Sequence, residues 1–391
     1  MSILGGEAAS VAMPSSSTAA PRVNRSPRSP RSPADMQSPK PFETSSVQPA
    51  SPGVVEDEVL LGASPVSPSR DFGDDVDEGL GDDSSFSTDS YSLTESILNY
   101  RRLHGRTYQS SKSTEYWGPN DERQNDALDM SHHFLTMLLG DQLYEAPIDN
   151  PSDILDVGTG TGIWAIDMAD SFPAAEVVGF DISPIQPTWV PPNCRFDIDD
   201  AQLEWTYRPS SFDFVHIRAL YGSISDWGEL YRQAFRVLRP GGYLENLEFT
   251  ILLRSDDPAV QADPNHIFKQ WADVFYEAAD RMGKTIRIGT EGRMKRHMEE
   301  AGFVDVVVNE YKLPCGGWSE DEREKVIGTY NLAFMEESLE GFALFLLVEI
   351  MGWEYTEVQV FLARMRAAIR NKRLRPYYII PNVYARKPLS A

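Results

Sequence analysis

The sequence predicts an α/β fold in which a sheet is built from successive βαβ units. From residue 154 onward, short apolar segments alternate with segments of helical periodicity, which is the pattern of such units. The first predicted strand runs directly into a glycine-rich turn, and a predicted helix follows that turn. The second predicted strand ends in a carboxylate. These observations indicate a Rossmann-like sheet with a ligand site at the ends of its strands.

The predicted elements follow one another along the chain. The predicted strands cover residues 154–157, 177–181, 196–198, 212–217, 243–252, 304–313 and 377–385. The predicted helices cover residues 127–143, 163–171, 227–238, 265–282 and 292–301. Residues 321–370 are predicted to be helical with breaks near Gly341 and Gly352. This region forms a helical insertion, at about 319–372, that is large enough to build a lid over a substrate.

The first 90 residues differ in composition from the rest of the chain. They contain 11 of the 27 prolines and 19 serines, with 6 basic and 14 acidic residues. Such a segment buries too little apolar surface to offset the entropy of ordering it. We therefore predict a disordered tail over residues 1–90 and a globular domain over residues 91–391. The tail has seven Ser-Pro steps, three of them in the basic repeat 25–33. Phosphorylation there would regulate binding of a protein partner, and the alternative is a solvated tail without a partner.

Composition and charge exclude several classes of protein. The chain has 36 basic and 59 acidic residues, a net charge of −23, so direct nucleic-acid binding is not expected. The most apolar run, residues 342–348, is too short to span a membrane. Two cysteines cannot form a disulfide framework, and residues 1–14 do not have the pattern of a signal peptide. We expect an intracellular protein, in the cytoplasm or the nucleus.

The strongest chemical signal is the turn at residues 156–162, which reads Asp-Val-Gly-Thr-Gly-Thr-Gly. Glycines there permit a tight turn, let a ligand approach the backbone and pack the helix against the strand. A dinucleotide-binding turn has its third glycine three residues after the second, whereas Gly162 follows Gly160 by two. The spacing disfavours a nicotinamide dehydrogenase. It favours a ligand without phosphates whose ammonium group is held with help from Asp156, such as S-adenosylmethionine.

Carboxylates also follow the next two predicted strands. Asp181 ends the second strand, where its carboxylate can accept hydrogen bonds from both ribose hydroxyls. Asp199 and Asp200 follow the third strand, where a side chain can reach the adenine amino group. The predicted cofactor-binding residues are Asp156, Gly158, Thr159, Gly160, Gly162, Asp181, Ile182, Asp199, Asp200 and Tyr108.

With these motifs, the chain resembles the class I methyltransferases and, within them, the fungal LaeA-like group. The matching segments are Tyr116, the predicted helix with His132 and His133, and residues 100–108, 119–122, 158–164, 181–187, 212–218 and 386–388. The resemblance implies a seven-stranded sheet whose last strand is antiparallel, and S-adenosylmethionine as methyl donor. It extends from about residue 95 to the end of the chain.

The chain departs from the LaeA-like pattern in three places. Residues 375–378 read Arg-Pro-Tyr-Tyr where the group often has a His-Ala-Tyr-like segment, so no substrate role for that histidine is carried over. Thr159 stands where the LaeA branch often has cysteine, and residues 240–242 read Pro-Gly-Gly rather than Pro-Gly-Ala. The last two choices resemble the wider LaeA-like group more than the LaeA regulator itself.

His216 and Arg218 are the candidate catalytic residues. His216 lies at the end of the fourth predicted strand and would act as a general base for a hydroxyl or amine acceptor. The alternative is a hydrogen-bonded, half-buried histidine. Arg218, on the same strand face, would orient a substrate carboxylate or pair with an acid. His132 and His133 are adjacent on a helix and cannot bind one metal ion from one face, so no metal site is predicted.

Further side chains have two interpretations each. Tyr100, Arg106 and Tyr108 would fold over the cofactor as part of a lid, or pack the first helix against the sheet. Glu245 and Glu248 of the fifth strand project to opposite faces and are expected to be solvated or to brace the cofactor, and the alternative is that one of them lines the mouth of the pocket.

Three functions remain open from the sequence. The first is a methyltransferase that acts on a small molecule in fungal secondary metabolism. The second has the same fold but acts on a protein, or within a nuclear regulatory complex, as a LaeA-like regulator, and the Ser-Pro-rich tail favours it. The third is a binding module without catalysis, which the intact glycine turn and Asp181 disfavour.

Overall fold

The computed structural model describes residues 100–110 and 114–390. The predicted disordered tail and its Ser-Pro steps lie outside the described residues. The first part of the predicted globular domain, residues 91–99, also lies outside them.

A short antiparallel hairpin, which the sequence did not predict, opens the described chain. Strand β1 (Arg101–Leu103) pairs with β2 (Arg106–Tyr108). Between them, His104 and Gly105 have φ angles of 47° and 84°. Positive φ at both central residues is what a two-residue hairpin turn requires. Strands of three residues are too short to show an alternating pattern, so sequence periodicity could not reveal them.

Seven further strands form one mixed sheet in the order β5-β4-β3-β6-β7-β9-β8. These strands are β3 (Asp153–Val157), β4 (Glu176–Asp181), β5 (Cys194–Ile198), β6 (Phe212–Arg218), β7 (Leu238–Leu247), β8 (Val304–Pro314) and β9 (Tyr377–Arg386). Strands β3 to β7 pair in parallel, and β9 is antiparallel to both β7 and β8. The predicted seven-stranded α/β sheet with an antiparallel last strand is confirmed.

Helices connect the strands and cover the sheet. They are α1 (Glu122–Leu138), α2 (Ile163–Ser171), α3 (Trp227–Val237), α4 (Pro258–Ala262), α5 (Ile267–Arg281), α6 (Arg293–Glu300), α7 (Glu322–Leu344) and α8 (Tyr355–Arg370). Alternate residues of β3 enter two different apolar clusters: Leu155 and Val157 join the larger one, and Ile154 packs with Trp164 of α2 in the other. Within residues 100–110 and 114–390, no helix is long and apolar enough to cross a bilayer.

Two predicted elements begin and end five residues earlier than predicted: α1 ends at Leu138 rather than 143, and β7 ends at Leu247 rather than 252. Helix α1 begins at Glu122 rather than 127 because the Asp121 carboxylate accepts a hydrogen bond from the Gln124 N–H at 3.1 Å and caps it. The first turn of α1 is polar, so the apolar spacing in the sequence does not show that the helix begins there. Strand β7 begins at Leu238, which pairs with Phe212, so residues 240–242 belong to the strand that was predicted to begin at residue 243. The strand absorbs those residues through an irregularity in its pairing with β6.

The helical insertion differs from its prediction at Gly341. Helix α7 continues through Gly341, so the predicted break there is wrong, whereas the break at Gly352, with φ of 74°, is confirmed. A Cβ atom at Gly341 would lie 2.8 Å from Oε1 of Gln124 and 2.9 Å from Cγ of Pro119. The glycine therefore lets the segment before α1 approach the backbone of α7. After Leu344 the helix widens into one π-helical turn, Phe345–Ile350.

We expect Gly341→Ala to destabilise the protein by about 1–3 kcal/mol, because the added methyl group overpacks the contact with Gln124 and Pro119. The free energy of unfolding in urea measures this change. Gly228→Ala in α3 is the matched control, since its methyl group would meet side-chain atoms of Asp226, Arg232 and His297 at 3.2 Å or more. Equal stability of the two variants would show that the contact at Gly341 is not tight.

Candidate active site

One cavity opens at the carboxyl ends of β3, β4, β5 and β6, the edge where open α/β sheets bind ligands. Helix α1 and Tyr116 also contribute to its lining. Ten of the twelve predicted site residues line the cavity. They are Asp156, Gly158, Thr159, Gly160, Asp181, Ile182, Asp199, Asp200, His216 and Arg218.

The three glycines of the turn have different surroundings. A Cβ atom at Gly158 would lie 2.5 Å from Leu220, and one at Gly162 would lie 2.3 Å from Phe196. A Cβ atom at Gly160 would meet only Leu128, at 3.8 Å. Gly160 therefore leaves space beside the backbone for a ligand, whereas Gly158 and Gly162 are required for packing. Gly162 itself does not line the cavity.

The Asp156 carboxylate joins two strands to the turn. One oxygen lies 2.7 Å from Nδ1 of His216, and the other accepts a hydrogen bond from the Thr159 hydroxyl at 2.6 Å. The His216 ring stacks on Trp164 with a centroid distance of 3.6 Å and is only 3% exposed. Burial lowers the pKa of His216, so the neutral imidazole donates from Nδ1 to Asp156. This geometry favours a bracing role for His216, and its role as a general base stays a prediction.

Asp181 occupies the position that the sequence predicts for a ribose ligand. Its carboxylate accepts hydrogen bonds from the backbone N–H groups of Gly160 and Ser183, each at 2.9 Å. Burial raises the pKa of Asp181 to about 6, although these backbone donors oppose the shift. A carboxylate held in this way keeps its orientation and retains lone pairs for a ligand's hydroxyl groups.

Asp200 connects the sheet to the chain segment before α1. Its carboxylate accepts hydrogen bonds from the Thr114 hydroxyl and from the Gln202 N–H, the latter at 3.0 Å. Asp199 accepts one from the Asp200 N–H at 2.8 Å. Because Thr114 and Tyr116 also line the cavity, this segment covers the side of the cavity next to β5.

Tyr108 does not lie where a cofactor ligand is expected. Its side chain is 1% exposed, packs 5.8 Å from the Phe345 ring and is not part of the cavity lining. Strand β2 directs Tyr108 into the core, so the packing interpretation fits this residue. Its neighbour Arg106 forms a bidentate ion pair with Asp121, at 2.5 and 2.8 Å, and so ties the hairpin to the start of α1.

Glu245 and Glu248 are buried, so the expectation that they are solvated is wrong. Glu248 is 0% exposed and accepts hydrogen bonds from the N–H groups of Leu220 and Tyr221, at 3.1 and 2.9 Å. It thereby fixes the loop after β6, whose Leu220 lines the cavity. Glu245 accepts from two backbone N–H groups before β3. Burial raises the pKa of Glu245 to about 7 and that of Glu248 to about 8.

The sequence analysis did not predict that His132 and Asp167 support a residue of the cavity, Arg218. His132 of α1 lies between Asp167 and Arg218, with Nε2 2.9 Å from the Asp167 carboxylate and Nδ1 3.1 Å from Nη2 of Arg218. Asp167 lies 35 residues further along the chain, on α2. No local spacing joins these residues, and only the packing of α1 on α2 brings them together.

The residues of the cavity fit S-adenosylmethionine. Gly160 leaves room beside the backbone, Asp181 presents an oriented carboxylate, and Asp199 and Asp200 line the neighbouring wall. In residues 100–110 and 114–390 there is no cluster of three or more metal-ligating side chains. The sheet order and this donor set define a class I methyltransferase.

Known proteins match most of this chain. Residues 131–308 match a family described as a methyltransferase domain. The methyltransferase pytC of Aspergillus terreus is 38% identical over 308 residues, which are 78% of this chain and 94% of pytC. The secondary metabolism regulator laeA of Aspergillus fumigatus is 34% identical over 290 residues, which are 73% of this chain and 76% of that protein. The protein-methionine methyltransferase laeA of Emericella nidulans is 33% identical over 302 residues, covering 76% of this chain and 79% of that one.

The chain belongs to the methyltransferase family that contains pytC and the laeA proteins. The resemblance to the LaeA-like group is thereby confirmed, and S-adenosylmethionine is the methyl donor. Family membership also removes the nicotinamide dehydrogenase from consideration.

We expect Gly160→Val to abolish binding of S-adenosylmethionine in isothermal titration, because the added side chain would fill the space beside the turn. Gly140→Val is the matched control: Gly140 has φ of 74°, close to the 58° of Gly160, and its Cβ would have no neighbour within 4 Å. The control should bind as the unaltered protein does. Unchanged affinity in Gly160→Val would contradict the cofactor position.

We expect Asp181→Ala to weaken binding of S-adenosylmethionine by about 1–3 kcal/mol, because the charge-assisted hydrogen bonds to ribose are lost. Asp197→Ala is the control, since Asp197 lies on β5, the strand next to β4, but does not line the cavity. A loss of only a few tenths of a kcal/mol at Asp181 would show that it is not the ribose ligand.

The same carboxylate predicts a pH dependence. Because the pKa of Asp181 is raised to about 6, it gains a proton as the pH falls through that value and then accepts fewer hydrogen bonds. We expect affinity to fall about fourfold between about pH 7.5 and about pH 5.5, with proton release on binding at the lower pH. Asp181→Asn should lack this slope in titrations across the same range. An identical slope in Asp181→Asn would assign the titration to another group.

Proposed function

We propose that the protein transfers the methyl group of S-adenosylmethionine to a small-molecule acceptor in secondary metabolism. The observation that carries this proposal is the mixed lining of the cavity. Leu128 and Leu135 of α1, with Leu220 and Ile224 after β6, add apolar surface to the polar cofactor-binding side. A recessed site with an apolar wall and few polar groups suits a small, partly apolar acceptor. Relatives named as a methyltransferase and as secondary metabolism regulators support the setting.

The roles that we assign to the side chains follow from their positions. S-adenosylmethionine supplies a methyl group on a positively charged sulfur. Asp181 would hold the ribose, and Asp199 and Asp200 would face the adenine. The protein's task is then to align the acceptor with the methyl group and to exclude water, which is worth several kcal/mol of the barrier.

The environment of the histidines favours an acceptor that needs no general base. His216 and His132 are 3% and 4% exposed, and burial lowers the pKa of both. The His216 ring is also hydrogen-bonded to Asp156, and the His132 ring is hydrogen-bonded to Asp167. An acceptor that is nucleophilic without losing a proton, such as a carboxylate or a thioether, suits such a site.

A protein acceptor is the second candidate. The 33% identity to the laeA protein named as a protein-methionine methyltransferase favours it, because a methionine side chain is a thioether. The Ser-Pro-rich tail would then bind a regulatory partner. Two unpaired, buried cysteines suit a protein inside the cell, in the cytoplasm or the nucleus.

Transfer of a labelled methyl group tests the proposal. The full chain is incubated with methyl-labelled S-adenosylmethionine and, in separate reactions, with the small-molecule extract and the protein fraction of cells that lack it. Gly160→Val serves as the control without a cofactor site. We expect label in the small-molecule fraction with the unaltered protein only.

The other outcomes contradict the small-molecule proposal in different ways. Label in the protein fraction alone, or on the chain itself, would favour the regulatory methyltransferase. Tight binding of S-adenosylmethionine with no transfer to either fraction would favour the non-catalytic binding module.

A further inference from the structure

Arg218 is a cation in the cavity with no ion-pair partner among the residues that the structure describes. It is the last residue of β6 and lines the cavity, and Nη2 donates a hydrogen bond to Nδ1 of His132 at 3.1 Å. Burial lowers the pKa of Arg218, which reflects the cost of removing a guanidinium from water, and the nearby charges of Asp156 and Asp167 offset only part of that shift. An anionic group of a ligand would offset that cost. Arg106, which is also buried, already has its carboxylate in Asp121.

The contacts of His132 fix its tautomer. A guanidinium has only donors, so Nδ1 of His132 must accept and the ring proton must lie on Nε2. Nε2 then donates to the Asp167 carboxylate, 2.9 Å away. Burial and the charge of Arg218 lower the pKa of His132, so the imidazole is neutral. Arg218 is therefore oriented by a group that does not neutralise its charge, and its positive charge remains available to a ligand.

The sheet places this cation opposite the acidic part of the cavity. Strands β4 and β6 flank β3 on its two sides, so their ends lie about 10 Å apart. Asp181 ends β4 and Arg218 ends β6, with the glycine turn after β3 between them. A ligand whose ribose lies at Asp181, and which crosses the turn at Gly160, brings its far end to Arg218. In S-adenosylmethionine that end is the amino acid group, which carries a carboxylate.

We propose that Arg218, positioned by His132 and Asp167, binds the carboxylate of S-adenosylmethionine. The acceptor's own carboxylate is the competing occupant, but Arg218 adjoins the glycine turn through the β3–β6 pairing, and the turn is the surface that the cofactor crosses. A guanidinium held by one hydrogen bond keeps further donors for a bidentate contact with a carboxylate. The inference rests on the cofactor site described above and adds to it the residue that recognises the amino acid end.

The affinities of three ligands test this inference without any methyl acceptor. Isothermal titration with S-adenosylmethionine and with decarboxylated S-adenosylmethionine isolates the carboxylate, and 5′-methylthioadenosine reports on the adenosine part alone. We expect the unaltered full chain to bind S-adenosylmethionine about 10- to 100-fold more tightly than the decarboxylated form. In Arg218→Met that ratio should fall to about one. Arg218→Lys should retain part of this affinity ratio, since lysine keeps the positive charge but lacks the paired N–H donors of the guanidinium.

Two further variants separate the roles. Arg296→Met removes an exposed arginine of α6 and should leave the ratio unchanged. His132→Phe removes the acceptor that orients Arg218, and we expect the ratio to fall while the affinity for 5′-methylthioadenosine is unchanged. An unaltered ratio in His132→Phe would overturn the positioning role of His132. A merely structural effect of His132 would leave this ratio unchanged.

The outcomes distinguish this inference from the function on which it rests. Equal affinity of the unaltered protein for both sulfonium ligands, or a full ratio in Arg218→Met, would overturn the role of Arg218 and leave the cofactor site intact. Failure of all three ligands to bind the unaltered protein would overturn the cofactor site itself.

Discussion

The site depends on one buried carboxylate, that of Asp156. It is 3% exposed, and its two oxygens bind Nδ1 of His216 on β6 and the hydroxyl of Thr159 in the glycine turn. A buried carboxylate is costly unless its lone pairs are satisfied, so these two bonds select one arrangement of β3, β6 and the turn. The same arrangement places Gly160 with its open side toward the cavity and Arg218 two residues beyond His216. The shape of the cavity at the turn therefore depends on two hydrogen bonds of one buried carboxylate.

Other carboxylates around the cavity work in the same way. Asp181 accepts backbone N–H groups of Gly160 and Ser183, and Glu248 accepts those of Leu220 and Tyr221. Each acid closes a turn that would otherwise leave buried donors unpaired. Burial raises the pKa of both acids, to about 6 and about 8, so their ionised forms are held at a cost that the backbone donors reduce. These carboxylates thus fix the geometry of the loops at the cavity.

Sequence reasoning was most successful where the chemistry is local. Helix α2 has the predicted bounds because apolar spacing and the glycine turn define it. Asp181 and Asp200 line the cavity because one ends β4 and the other lies two residues after β5. It failed where distant segments meet. The contact of His132 with Asp167 and Arg218 joins α1, α2 and β6, and no spacing in the sequence predicts this contact. Gly341 was interpreted as a helix break because its reason, the close approach of Pro119, lies more than 200 residues earlier in the chain.

The helical insertion acts on the site indirectly. None of the residues 319–372 lines the cavity, although the insertion is long enough to cover a substrate. Instead, Gly341 of α7 receives Pro119 and Arg106, which belong to the segment that carries Thr114 and Tyr116 over the cavity. Thr114 in turn binds Asp200 on the cofactor side. The segment before α1 is therefore held from outside by the insertion and from inside by the sheet.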